Sequence, residues 1–137
     1  MTGDSYRYLL DTNILSDLVR YPAGAVAQQI QQRGQGTVCT SIVVAAELRF
    51  GAIKKGLFQL SQRIEALLDH LPVLPLSLGV DHHYAQIRTE LESSGTPIGP
   101  NDLFIAAHAM SLDLVLVSAN VREFSRIKHI QVENWLE

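Results

Sequence analysis

Tyr6-Arg7-Tyr8-Leu9-Leu10-Asp11-Thr12-Asn13 is the stretch on which the fold turns. A short aromatic and apolar run stops at three residues that favour turns and helix caps, which marks a first strand ending at Asp11. Ile14 to Val19 then reads as a short helix, and Ala23 to Arg33 as another, closed by Gly34 and Gly36. Thr37 to Thr40 forms a second strand, and Ser41 caps a helix from Ile42 through Phe50 that continues towards Lys55. Leu57, Leu60, Ile64, Leu67, Leu68 and Leu71 recur at helical spacing. Pro72 to Leu76 is a third strand whose prolines, Pro72 and Pro75, suggest exposed ends, Gly79 to Ser93 a helix, and Asp102 opens a helix carrying Ile105, Ala106 and Ala109 on one face. Leu114-Val115-Leu116-Val117 is a continuous apolar strand of the kind buried on both sides. Asn120 to Ile127 adds a short helix and Ile130 to Val132 a last brief strand. Strands alternating with helices, without hairpin signals, predict an α/β fold with a central, mostly parallel sheet of four to five strands flanked by helices.

The 137 residues suit one domain, spanning 1–137, and a composition of 47% hydrophobic and 18% charged residues predicts a folded chain. With 14 Asp and Glu against 11 Lys and Arg, the net charge of −3 excludes a protein that coats nucleic acid by bulk attraction. A single cysteine, Cys39, excludes an internal disulfide, a cysteine zinc cage and a CxxC redox site. The N-terminal Met1 to Ser5 is polar, and no apolar run approaches the ~18 residues of a membrane span. The expectation is a cytoplasmic protein without membrane attachment.

In a parallel sheet, ligands gather at the carboxyl ends of the strands. Asp11 follows the first strand, Glu47 lies one to two turns into the helix after the second, and Asp102 sits in the first turn of the helix feeding the fourth. Asp11 alone would also serve as a helix cap, and Asp102 as a complement to its helix dipole. Glu47 is harder to absorb in that way, because apolar neighbours from Ile42 to Ala46 and Leu48 leave little room for a solvated face. Three converging carboxylates repel one another unless a cation neutralises them. Oxygen ligands with few or no histidines favour Mg²⁺ or Mn²⁺ over zinc, and such a site activates water for in-line attack on a phosphodiester.

Four blocks of sequence resemble the PIN-domain ribonucleases, most closely the VapC toxins of bacterial toxin–antitoxin pairs. They are Leu10-Asp11-Thr12-Asn13; Ser41 with Ala46-Glu47-Leu48 and Gly51-Ala52; Thr96 to Asp102 with Ile105 to Ala109; and Leu116-Val117-Ser118 with Asn120 to Phe124 and Val132 to Trp135. One block alone is weak evidence, but all four occur in the family's order. The resemblance implies that Asp11, Glu47 and Asp102 hold Mg²⁺, with Mn²⁺ as a substitute. Many relatives have Asp where Asn120 stands, so Glu123 is the acid available at the fourth position of the site. Asn13 and Ser118, with Asn120, fall where supporting hydrogen-bonders orient carboxylates. The resemblance further implies endonucleolytic cleavage of RNA, with tRNA in the anticodon loop among the targets of related toxins. It also implies a homodimer, a higher hetero-oligomer with a cognate VapB-like antitoxin, and contact with DNA only through that antitoxin.

RNA must approach despite the net charge, so basic residues should flank the pocket; Arg49, Lys54, Lys55, Arg122 and Arg126 are the candidates. His82, His83 and His108 lack zinc-ligand spacing, and Phe50, Phe58 and Tyr84 are expected in the core or at a dimer contact. A phosphatase of the haloacid-dehalogenase type needs a second acid where Asn13 stands. A non-catalytic binding module on the same fold would leave the three acids without a purpose.

Overall fold

The computed structural model describes residues 6–136; the polar N-terminal stretch lies outside the described residues. Five strands form one parallel sheet: β1 (Tyr8–Leu10), β2 (Val38–Ser41), β3 (Val73–Leu74), β4 (Val115–Val117) and β5 (Val132–Glu133), in the order β3-β2-β1-β4-β5. All adjacent pairs are parallel, with Leu9 opposite both Cys39 and Leu116. Every residue of β1 is buried, as a central strand covered on both faces requires.

The connecting helices are α1 (Thr12–Arg20), α2 (Ala25–Arg33), α3 (Ile42–Lys55), α4 (Phe58–Asp69), α5 (Val80–Ser93), α6 (Pro100–Ser111) and α7 (Val121–Phe124). Several boundaries differ from those read off the sequence, each for a local reason. Helix α1 begins at Thr12 rather than Ile14 because Asp11 is its cap, accepting the Thr12 N–H at 2.8 Å. Helix α6 opens at Pro100, whose missing N–H suits a first helical position, and this sets Asp102 in its first turn. Helix α7 spans only Val121–Phe124, and the chain beyond it turns with Phe124 and Ile127 anchored in the core. Gly56, at φ +66, ends α3 in the left-handed conformation and directs the chain into α4.

From β1 the chain moves outward through β2 and β3, then returns to the other side of β1 to add β4 and β5. The direction of winding therefore changes between β1 and β4, and a crevice opens outside their carboxyl ends. Asp11 follows β1 there and Ser118 follows β4; the Asp11 N–H donates to the Val117 carbonyl at 2.9 Å, which holds the two ends together. Among the described residues no helix is long and apolar enough to cross a membrane.

Phe124, fully buried, anchors the segment that follows Ser118 and Asn120. Phe124→Ala is expected to lower the unfolding free energy by about 3–5 kcal/mol. Urea denaturation monitored by circular dichroism checks this, and a loss within experimental error of zero would refute the anchoring role.

Candidate active site

Asp11 is 3% exposed and uses both carboxylate oxygens as acceptors, Oδ1 from the Thr12 N–H at 2.8 Å and Oδ2 from the Ser118 hydroxyl at 2.7 Å. Burial pushes its pKa up, the two hydrogen bonds pull it down, and the charge of Glu47 adds an upward push. Ser118 is itself held: its Oγ accepts the Asn120 N–H at 3.0 Å and faces Asn13 Nδ2 at 3.5 Å, while Asn13 Oδ1 accepts the Ala119 N–H at 3.0 Å. Asn13 and Ser118 thus bind the turn after β4 to the start of α1.

Glu47, in the second turn of α3, is half-buried and also engages both oxygens. The Thr12 hydroxyl donates to Oε1, and Asn101 Nδ2 donates to Oε2 at 3.2 Å. Thr12 and Asn101 were not singled out from the sequence, although each adjoins a selected acid. Thr12 reads as a cap and Asn101 as a turn residue, and their shared partner lies 35 and 54 residues away.

Asp102 completes the group on a different footing. Among the described residues it accepts no side-chain hydrogen bond, and its pKa is pushed up to about 6. Burial is the main cause, followed by the charges of Asp11, Glu47 and Glu123. Glu123, on α7, therefore acts on the group through its field, whereas Asn120 lines the pocket itself. That pocket, walled by Asp11, Thr12, Asn13, Ile42, Glu47, Phe50, Asn101, Asp102 and Asn120, opens at the carboxyl edge of the sheet.

The donors present are carboxylate, amide and hydroxyl oxygens, and buried His108 lies away from them; this set suits a hard divalent cation rather than zinc. Among the described residues no three acids, histidines or cysteines are already closed into a set able to grip an ion unaided. An uncompensated carboxylate facing two others is what such a cation would neutralise.

A second groove begins where the pocket ends, since Thr12 and Glu47 line both. It runs between α1, α3 and α4, with Val19, Leu48, Ala52, Leu60 and Ile64 as its apolar bed and Arg20, Lys55 and Arg63 at its edge. Of the basic residues expected near the site, Lys55 alone lines this groove. Arg49 is taken by Glu65, at 2.8 and 2.9 Å, and Lys54 lies over the Phe50 ring at 5.8 Å. Arg122 is exposed on α7, and Arg126 reaches only the Pro97 carbonyl, at 3.5 Å. Arg20 and Arg63 were not anticipated, because periodicity alone does not tell which helices pack together. Phe50 and Phe58 are 65% and 75% exposed rather than in the core, whereas Tyr84 stacks on Phe104 at 4.4 Å.

The PIN domain family model matches residues 8–130 of the chain. A ribonuclease VapC2 of Haemophilus influenzae is 37% identical over 134 residues, covering 95% of this chain and 98% of the relative. A tRNA(fMet)-specific endonuclease VapC of Shigella flexneri is 35% identical, covering 94% and 98%. Among solved structures, VapBC2 of Rickettsia felis, bound to a DNA fragment from its promoter, superposes with a TM-score of 0.87 at 33% identity, covering 93% of this chain and 98% of that one.

The raised pKa of Asp102 carries a sign for stability. A carboxyl whose folded pKa lies above its unfolded value stabilises the fold at low pH, and that contribution is lost as pH rises through the folded value. For the metal-free chain, the melting temperature is therefore expected to fall as pH rises from about 4 to 7, most steeply near about 5, between the unfolded and folded values, and to level off above about 6. Asp102→Asn should flatten this dependence and melt higher than the wild type at pH 7. A variant that retains the full pH dependence in differential scanning calorimetry would refute the assignment.

Proposed function

The chain belongs to the PIN-domain family, among its VapC ribonucleases, and from that premise we propose that it is the toxin of a toxin–antitoxin pair, a cation-dependent endoribonuclease acting in the cytoplasm. The observation that carries the reading is Asp102: a half-buried carboxylate without a side-chain hydrogen-bond donor among the described residues, facing Asp11 and Glu47. Asp11, Glu47 and Asp102 would hold Mg²⁺, with Mn²⁺ as a substitute. When bound, the cation supplies positive charge for the scissile phosphate and lowers the pKa of a water that attacks it.

The chain's own residues do the rest. Ser118 and the Thr12 N–H orient Asp11, and Thr12 and Asn101 orient Glu47. Glu123 adds negative potential that favours cation entry. Arg20, Lys55 and Arg63 carry RNA phosphates along the groove that opens on the acids, so a chain of net charge −3 meets its polyanion locally. The relatives from Shigella flexneri and Salmonella typhimurium bear the description tRNA(fMet)-specific endonuclease, which supports tRNA as the substrate class. The VapBC complexes among the similar structures, two of them bound to DNA, support a VapB-like antitoxin as partner, and we propose that this chain meets DNA only through it. The apolar groove edged by α1, α3 and α4 suits an antitoxin segment, and the exposed Phe50 and Ile53 on α3 suit a contact between two copies of the chain.

Asp11→Asn and Asp102→Asn are expected to reduce cleavage of total tRNA to background while remaining folded. Excess EDTA should abolish wild-type cleavage, and added Mg²⁺ or Mn²⁺ should restore it. Cleavage that persists in EDTA would sink the cation reading, and intact tRNA beside cut messenger RNA would sink the substrate class.

Arg20→Ala and Arg63→Ala should each weaken RNA binding and reduce the slope of log affinity against log salt by about 0.7, the value for one phosphate of a single strand. Filter binding across a salt series measures this. Unchanged slopes would move the RNA path elsewhere.

A further inference from the structure

Ser41 and His108 are fully buried, outside the lining of the pocket, and joined by a hydrogen bond of 2.8 Å. Ser41 Oγ accepts the Val43 N–H at 3.1 Å as the cap of α3, and among the described residues its hydroxyl proton has no other acceptor than His108 Nδ1. Nδ1 is then the acceptor, and the neutral ring carries its proton on Nε2. Burial lowers the ring's pKa and favours the same neutral form, against a hydrogen bond to the Pro75 backbone that raises it. Among the described residues Nε2 makes no hydrogen bond of good geometry, the Pro75 backbone being the polar group that acts on the ring. An apolar ring would fill this place but could not accept the Ser41 hydroxyl, so packing alone does not account for a histidine.

The position of the pair does account for it. Glu47 lies six residues beyond Ser41 on α3, and Asp102 lies six residues before His108 on α6. At the pocket end the same two helices meet again, where Asn101 donates to Glu47 at 3.2 Å. Advancing along α3 thus means retreating along α6: the helices are antiparallel here, tied at one end by Ser41–His108 and at the other by Glu47–Asn101. A slip of one residue would displace one helix by about 1.5 Å, whereas a metal site accepts deviations of only about 0.2 Å.

We propose that the Ser41–His108 hydrogen bond is a positioning clasp that fixes the axial register of α3 against α6, and through it the separation of Glu47 and Asp102 on which divalent-cation affinity depends. His108 and Ser41 are positioning residues, touching neither cation nor RNA. This rests on the cation reading of the carboxylate pocket given above.

The test is calorimetric titration of Mn²⁺ into the metal-free full chain, beside thermal melts that establish folding. His108→Phe keeps a ring but offers Ser41 no acceptor; Ser41→Ala keeps the imidazole but removes the donor. His108→Asn retains an acceptor near the position of Nδ1 while leaving a void. His108→Phe and Ser41→Ala are expected to bind Mn²⁺ about tenfold more weakly while folded, and His108→Asn to stay within about twofold of wild type despite a lower melting temperature. Wild-type affinity in His108→Phe, or in Ser41→Ala should the former fail to fold, overturns the clasp. So does an Asn variant as weak as the Phe variant. A wild-type chain that binds no Mn²⁺ overturns the cation reading itself, a result distinguishable from failure of the clasp alone.

Discussion

Repulsion among Asp11, Glu47 and Asp102 in a half-buried pocket is the constraint around which the rest of the structure is arranged. A carboxylate removed from water costs stability unless donors or a cation compensate it, and neighbouring negative charge raises that cost. The three acids are compensated unequally. Asp11 and Glu47 each have both oxygens engaged by protein donors. Asp102 has the field of the others and no donor among the described side chains, so its pKa rises to about 6. The protein thus orients two of the carboxylates in advance and leaves the third in electrostatic tension, which a cation would relieve.

Such tension persists only on a frame that does not yield to it. The acids come from segments far apart in the chain, and what brings them together is the parallel sheet with β1 at its centre. Asp11 is fixed because β1 is flanked by β2 and β4 and because its N–H donates to β4. Ser118 reaches Asp11 because β4 ends beside β1, at the point where the winding changes direction. Asp102 and Glu47 ride on helices whose inner faces are packed, with Leu103, Ile105 and Ala106 on one and Val44, Ala45 and Leu48 on the other, all buried. The stability of that core offsets the cost of the site, which is the usual relation between a strained centre and its scaffold.

The division between what sequence reveals and what it hides follows the same logic. Asp11, Glu47 and Asp102 were legible because each occupies a place that element order alone defines: the end of a strand, or an early turn of a helix at the carboxyl edge. The alternation of elements likewise implied parallel strands. Thr12 and Asn101 were not legible in their roles, since a local reading exhausts them as cap and turn while their common partner is brought near only by tertiary packing. The basic residues divide on the same ground. Arg49 and Lys55 both lie on α3, six residues apart, yet one turns to Glu65 on α4 and the other to the groove; that choice depends on how α3 and α4 cross. Glu47 is a subtler case. Its apolar neighbours suggested deep burial, but Ile42 and Ala46 are themselves exposed at the pocket, so the apolar stretch borders a ligand site rather than sealing it.

Thr12 and Glu47 belong to both the groove and the pocket, and this shared wall bears on how a substrate and an inhibitor would differ. A chain lying in the groove reaches the acids at its end, whatever its chemistry. Phosphate arriving there meets carboxylates of its own sign, so a polyanion gains from the pocket only when a cation stands between them. A peptide side chain bearing positive charge needs no such mediator, and satisfies Asp102 directly by supplying the charge and donors it lacks. One set of acids therefore imposes opposite requirements on two occupants of the same path. On the proposed reading RNA binding would be coupled to the cation, whereas a basic peptide would compete with it, and cation and peptide would then weaken each other by the same free energy.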